Sequence, residues 1–521
     1  MYLTPPLKRS PNQPDDDSRR TFLRRSAQLT FTGMALPTLL NLSAMGQAAA
    51  MVAPDGSYKA LVCVFMYGGN DYANTVVTYD DPSYNLYSTI RGGGAGQTAG
   101  GIALAKAALT PTLLTPTTAL PDGRQYAFHP SMTGLAALFN AGKVAVQLNV
   151  GPLVKPMTKA QYKGTDRTQF PVPPKLFSHN DQQSLWQSSS PEGSTIGWGG
   201  NVGDLALQFN SNRLFTCISV TGNAVFLAGD AALSYQVSSG GAVKIKAATD
   251  QYTYGSTLVK NAMLAITQQT RSHVLENEYN KVTQRAIGAE LLVTAALTSA
   301  AAVDTTAAPN PNFAPFNAEV LRDNSLASQL KIVARLIAGR GALGSPKRQV
   351  FFVSLGGFDL HDDLVVNHVR NMRRVNDAMT AFYQSTELLG VASSVTTFTA
   401  SDFGRTLSSN GDGSDHGWGS HHLVMGGAVK GAAFYGTAPP VSTSETTAAA
   451  DQWHVGQGRL LPTTSVDQYA ATLATWFGVE EAELSGANGI LPNLANFNNL
   501  PASAATGNIA YPRNLGFMNA P

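Results

Sequence analysis

Four short runs of apolar, largely β-branched residues constrain this chain more than any other feature. They cover 59–66, 144–150, 349–355 and 394–400, and most end in a cluster of glycine, aspartate or serine. Helical patterns alternate with them over 257–299, 318–338, 367–389 and 466–477, the last closed by Gly478 as a C-cap, and a short helix over 180–188 follows Phe177-Ser178. That rhythm is the signature of an α/β fold, a mostly parallel central sheet flanked by helices. Two stretches, about 92–121 and 441–457, stand outside the pattern and are expected to be loop insertions.

The first 50 residues are set apart. Arg19-Arg20 precede Phe22-Leu23, a moderately apolar stretch runs over 29–45, and Gln47-Ala48-Ala49-Ala50 offers a small-residue cleavage site. This is the layout of an export signal, and its paired arginines resemble the twin-arginine type, whose cargo crosses the membrane already folded. No later window has the roughly 18 consecutive apolar residues of a membrane span. Residues 51–521 are therefore expected to form one exported domain, periplasmic or extracellular, with no membrane span in the mature chain. The Tat export machinery is the partner expected for the leader.

Charged residues make up only 13% of the chain, against a usual share of about 25%, which argues against coiled coils and charge-driven disorder. The net charge of +2 comes from 36 basic and 34 acidic residues, but residues 1–50 hold six of the former and three of the latter. The remainder carries −1, so the apparent basicity belongs to the leader and gives no reason to expect a nucleic-acid partner. Neither Cys63 nor Cys217 has metal-ligand spacing, and whether the two pair is left open. Any metal must then be held by Asp, Glu or His.

The residues after the strands carry the chemistry. Run 59–66 leads into Gly68-Gly69-Asn70-Asp71, run 349–355 into Gly356-Gly357-Phe358-Asp359-Leu360-His361, and run 394–400 into Ser401-Asp402-Phe403-Gly404-Arg405. Ser414-Asp415-His416-Gly417 and His421-His422 follow shortly, so five of the nine histidines fall between Leu360 and Leu423. In a parallel sheet, groups at the carboxyl ends of strands converge although far apart in sequence. Carboxylates and imidazoles gathered there suit a divalent metal such as Zn²⁺, Mn²⁺ or Ca²⁺.

With Phe128-His129-Pro130 and Ser178-His179, these motifs resemble the exported bacterial family catalogued as domain of unknown function 1501, over about 59–478. That family is regarded as a distant branch of the alkaline phosphatase and sulfatase superfamily. The resemblance therefore implies an alkaline phosphatase-like fold and an exported metal-dependent hydrolase of phosphate, phosphonate or sulfate esters, acting on a small anionic ester. It implies Asp71, Asp359, His361, Asp415 and His416 as metal ligands, with His421 or His422 as the closing histidine. Ser178, ahead of a helix whose N-terminal amides face an anion, is the nucleophile it suggests. Arg405 and Lys430 are implied to hold substrate oxygens. A second register is open: Asp402 follows a strand as the sulfatase Ser-Asp-His-Gly acid does, with Phe403 in the histidine's place. The sulfatase nucleophile motif, Cys/Ser-x-Pro-x-Arg, is absent.

Each residue also has a plainer reading. Ser178 with Asp181 three positions on makes an N-cap, and Asp71 after two glycines suits a turn. His129, before Pro130, is expected to be a structural loop histidine, and His179, His273, His368 and His454 surface or satisfied polar groups. A catalytically silent metal- or anion-binding envelope protein of the same fold is the alternative function.

Overall fold

The computed structural model describes residues 51, 56–92, 101–245, 250–301, 310–486, 489–503 and 506–519. The leader at 1–50 and part of the first insertion, 93–100, lie outside the described residues. The strands are β1 (Lys59–Met66), β2 (Val76–Thr78), β3 (Tyr126–Phe128), β4 (Val144–Gly151), β5 (Cys217–Ser219), β6 (Ser234–Ser238), β7 (Gly241–Ala242), β8 (Arg348–Leu355), β9 (Val395–Ser401), β10 (Ser420–Gly426), β11 (Ala433–Tyr435) and β12 (Thr464–Ser465). Ten of them form one sheet in the order β11-β4-β10-β9-β1-β8-β5-β6-β7, with β12 beside β4, while β2 and β3 pair separately.

All strands of the large sheet run one way except β10 and β7, each antiparallel to its neighbours. Register at the centre is level: Met66 at the end of β1 stands opposite Leu355 of β8 and Ser401 of β9. Three chain segments therefore leave the sheet side by side at its carboxyl edge.

Strand alternation divides the core into two layers. Ala60, Val62, Val64 and Met66 of β1 face one cluster, and Leu61, Cys63 and Phe65 face the other. The first cluster is completed by α2 (Thr133–Asn140), α6 (Val274–Ala301), α7 (Ser325–Ala338) and α8 (Leu364–Leu388). The second takes α3 (His179–Ser188), α4 (Trp198–Ala206) and α9 (Val466–Phe477). Two further helices, α1 (Asp81–Arg91) and α5 (Thr257–Gln268), lie outside these layers. The chain is thus an α/β protein with a mostly parallel sheet flanked by helices.

The structure corrects several details of the sequence reading. The helical pattern over 257–299 is two helices, α5 and α6. The pattern over 318–338 breaks before α7, where Asp323 adopts a left-handed φ of 53° and Asn324 caps the helix by accepting the Ala327 N–H at 3.1 Å. His421-His422 belong to no loop: they open β10, a fully buried strand whose apolar half is Leu423-Val424-Met425. Cys63 and Cys217 are both free and buried. They sit on β1 and β5 with β8 between them, about 10 Å apart at the usual strand spacing, beyond the reach of a disulfide. Among the described residues, no helix is long and apolar enough to cross a membrane.

Candidate metal centre

Three loops from the level strand ends, together with the start of α3, build one cluster at the carboxyl edge. Its centre is Asp359, four residues beyond β8. His179 Nε2 lies 3.3 Å from Asp359 Oδ2, and His416 Nε2 lies 3.2 Å from Asp359 Oδ1. His361 Nε2 is 3.1 Å from the same Oδ1 and 3.0 Å from His416 Nε2. Three imidazoles thus turn the same ring nitrogen toward one carboxylate.

The opposite ring nitrogen of each imidazole has its own partner. His179 Nδ1 meets Asp402 Oδ2 at 2.7 Å, His416 Nδ1 meets the Phe177 carbonyl oxygen at 2.7 Å, and His361 Nδ1 meets Asp415 Oδ1 at 3.3 Å. Backing by a carboxylate or carbonyl at one nitrogen, with the other left pointing inward, is how metal-binding histidines are oriented. Ligand atoms about 2.1 Å from a tetrahedral ion stand roughly 3.4 Å from one another, close to the separations seen here. His179, Asp359 and His416 place one ligand atom each within 4.8 Å of one another, the arrangement of a metal-binding triad. Asp402 is fully buried and has one oxygen, Oδ1, without a partner, while Oδ2 also accepts from Gln183 Nε2 at 2.8 Å. A carboxylate so enclosed calls for a compensating positive charge on the imidazole it holds. The donor set therefore fits a divalent cation.

The local electrostatics agree. The hydrogen bond that His179 donates to Asp402 raises its pKa above the ordinary histidine value. Burial lowers that of His416. Burial alone would raise the Asp359 carboxyl, but the hydrogen bond and charge of Arg405, helped by His179 and His361, hold it below the carboxylate range. Arg405 is itself fully buried; Nη1 donates to Asp359 Oδ1 at 2.6 Å and to the Gly68 carbonyl at 3.2 Å, and Nε donates to Ser414 Oγ at 3.3 Å. The Arg459 guanidinium lies over the Phe177 ring and donates from Nε to the His416 carbonyl at 2.7 Å.

Local chain geometry fixes the ligand on α3. Lys175 and Phe177 both have left-handed φ, 47° and 74°. That strain folds the segment so that the Phe177 carbonyl reaches His416 while Ser178 and His179 start the helix. Ser178 stands at the N-cap without capping; its hydroxyl donates instead to Asp181 Oδ2 at 2.8 Å. Phe403 packs against the rings of His179 and His416, with centroids 4.9 and 4.7 Å away.

Of the residues singled out from sequence, Asp359, His361, Asp402, Arg405, Asp415 and His416 come together, and Ser178 stands beside His179. Asp402 and Asp415 both back histidines. The structure takes the other candidates elsewhere. Both oxygens of Asp71 are held by Arg91, at 2.9 and 2.7 Å, in a fully buried pair. His421 Nδ1 receives the Asn149 N–H at 3.0 Å, and His422 Nδ1 lies 3.3 Å from Thr399 Oγ1; burial holds both rings neutral, with pKa values of about 3. Lys430 follows the far end of β10, which lies beside the start of β9, so it is exposed at the opposite edge of the sheet.

His179 is the residue that sequence reasoning missed. Its signal was Phe403: where the related motif has a histidine after the aspartate, this chain brings an imidazole to Asp402 from 223 positions earlier.

None of the curated proteins matches this sequence. One solved structure, titled as the crystal structure of Ps i-CgsB in complex with k-i-k-neocarrahexaose, is 10% identical, covering 86% of this chain and 78% of that one at a TM-score of 0.34. A likeness of that size carries no argument. The family model described as "Protein of unknown function (DUF1501)" matches residues 58–483, spanning the sheet and every residue of the cluster, and the chain belongs to that family.

Proposed function

We propose that the protein is an exported, metal-dependent hydrolase of phosphate, phosphonate or sulfate esters with an alkaline phosphatase-like fold. The observation that carries this reading is the convergence of three histidine Nε2 atoms on Asp359, each histidine backed at Nδ1. His179, Asp359 and His416 would hold the ion, with His361 beside them. An imidazole-rich set favours Zn²⁺ or Mn²⁺ over Ca²⁺, which takes oxygen ligands. When bound, the ion supplies Lewis-acid stabilisation of charge on the transferring group. The protein's own groups do the rest. Ser178 is the nucleophile, its proton already directed at the buried Asp181 carboxylate. The first-turn amides of α3 and the Arg459 guanidinium favour an anionic group above the cluster. Asp402 and the Phe177 carbonyl keep His179 and His416 from turning away. The leader motif, Arg19-Arg20 followed by an apolar stretch, supports export.

One observation favours the alternative of a silent binding protein. Arg405 already neutralises Asp359 from inside the cluster, which gives the carboxylate a partner without any ion. Metal analysis and ester turnover separate the two. The hydrolase reading expects stoichiometric Zn²⁺ or Mn²⁺ in natively purified protein. It also expects hydrolysis of aryl phosphate or sulfate esters that His179→Ala, His416→Ala and Ser178→Ala each reduce by a hundredfold or more. Metal-replete protein without turnover supports the silent reading, and folded protein that takes up neither ion and turns over no ester overturns the hydrolase reading, leaving the silent, anion-binding one.

A further inference from the structure

Helix α6 carries a seven-residue apolar repeat that outruns the protein's own core. Leu275, Tyr279 and Val282 keep strict heptad register with Ala289, Val293 and Ala296, the spacing of a helix face that another helix covers. The later half of the stripe is covered: Val293 and Ala296 are fully buried in the first core cluster. The earlier half is bare, with Leu275 74%, Tyr279 71% and Val282 50% exposed, and Val274 beside them at 78%. Helix α5 does not cover it, because α5 packs on a different face of α6, where Asn280 Nδ2 donates to the Gln269 carbonyl at 2.9 Å and Gln284 Nε2 to that of Thr267 at 2.6 Å.

We propose that a second copy of this chain covers the bare half, the two α6 stripes meeting antiparallel about a twofold axis. Charge selects this occupant. Glu276 and Glu278 flank the start of the stripe, and Lys281 and Arg285 follow. Antiparallel pairing sets the acidic pair of each copy against the basic pair of the other. Within one chain Glu278 reaches Lys281 at 3.3 Å and Arg285 at 3.4 Å, all exposed, so exchanging these partners costs little.

The area is sufficient. Four apolar side chains at these exposures present on the order of 500 Å² a side, and the two copies together reach the roughly 1,000 Å² at which a specific interface begins. Other occupants fit less well. Two acidic and two basic residues give no cationic excess for an anionic lipid surface. Met51, where the described chain begins, packs in the second core cluster, across the sheet from α6.

Sedimentation of the purified full chain at micromolar concentration tests the proposal. A dimer is expected, and Leu275→Glu with Tyr279→Glu should weaken it tenfold or more while the circular dichroism spectrum stays unchanged, because both side chains are on the surface. Reversing Glu276 and Glu278 to Lys should also weaken the dimer, and adding Lys281→Glu with Arg285→Glu should restore it. A monomer at all concentrations, a dimer indifferent to the first pair of substitutions, or a monomer that binds neutral phosphatidylcholine vesicles would overturn it.

Discussion

Asp402 shows how much of the candidate site rests on one side chain held behind an imidazole. It is buried, accepts from His179 and Gln183, and stands at the end of β9. Replacement by Asn keeps the size and one accepting oxygen but removes the charge that holds the imidazole. Asp402→Asn should therefore bind Zn²⁺ roughly 10–100-fold more weakly, the usual effect of losing a backing carboxylate, with little change in the denaturation midpoint. Isothermal titration with the metal reads the first, and urea unfolding the second. At this scale the sequence was partly legible. Asp359 and His416 stand out as acid and imidazole after strand ends, whereas Asp71 has the same sequence context and is captured by Arg91. Nothing local distinguishes Asp359, which faces three imidazoles as well as the Arg405 guanidinium, from Asp71, both of whose oxygens are taken by a guanidinium 20 positions away.

Among the elements, the turn after β1 packs directly against the loops that carry Asp359 and Phe403. Gly68 and Gly69 have φ of 116° and 85°, where side chains are disfavoured. Space is also short: a Cβ on Gly68 would lie 2.3 Å from the Asp359 backbone nitrogen, and one on Gly69 would lie 2.4 Å from the Phe403 ring. Both alanine substitutions should destabilise by about 1–3 kcal/mol. Gly68→Ala should in addition displace Asp359 and weaken metal binding, an effect that comparing metal titrations of the two variants resolves. Periodicity found the strands flanking this turn because they are short, apolar and β-branched. It missed β10, where two neutral histidines open the strand, and it ran through the break before α7, where the stop is set by a capping asparagine rather than by glycine or proline.

The whole molecule carries an acid sensitivity set by its buried imidazoles. Burial lowers His129, His368, His421 and His422 to about 3. An unfolded histidine takes up a proton near 6.5, so each of these sites removes stability as pH falls from about 6.5 toward 3. Asp467 opposes them: burial lifts its carboxyl to about 6, so its contribution is present below the unfolded carboxylate value and is lost as pH rises through 6. Among these five groups the unfolded chain binds about three more protons near pH 5, a loss of about 4 kcal/mol per pH unit, to which the lowered His416 and His454 add and the raised His179 runs counter. Urea midpoints should fall steeply between pH 7 and 5, and more steeply still in Asp467→Asn. Midpoints that stay level would mean that water reaches the rings.

The architecture at this scale was the most legible part, because alternation of apolar runs with helical spacing is a property of the whole chain. The cross-chain pairing of Asp402 with His179 was not, since it depends on how the strained segment before α3 is laid over the sheet edge. Arg405 gives that edge a further property. Its one guanidinium joins the loop after β1 through Gly68, the loop after β8 through Asp359, and the segment before β10 through Ser414. Three loops are tied at a single knot, so in a hydrogen-exchange measurement they are expected to open as one unit with a shared free energy. The loop-borne part of the candidate metal site then has no weakest loop, and the start of α3, which brings His179, is the one part that can separate from it.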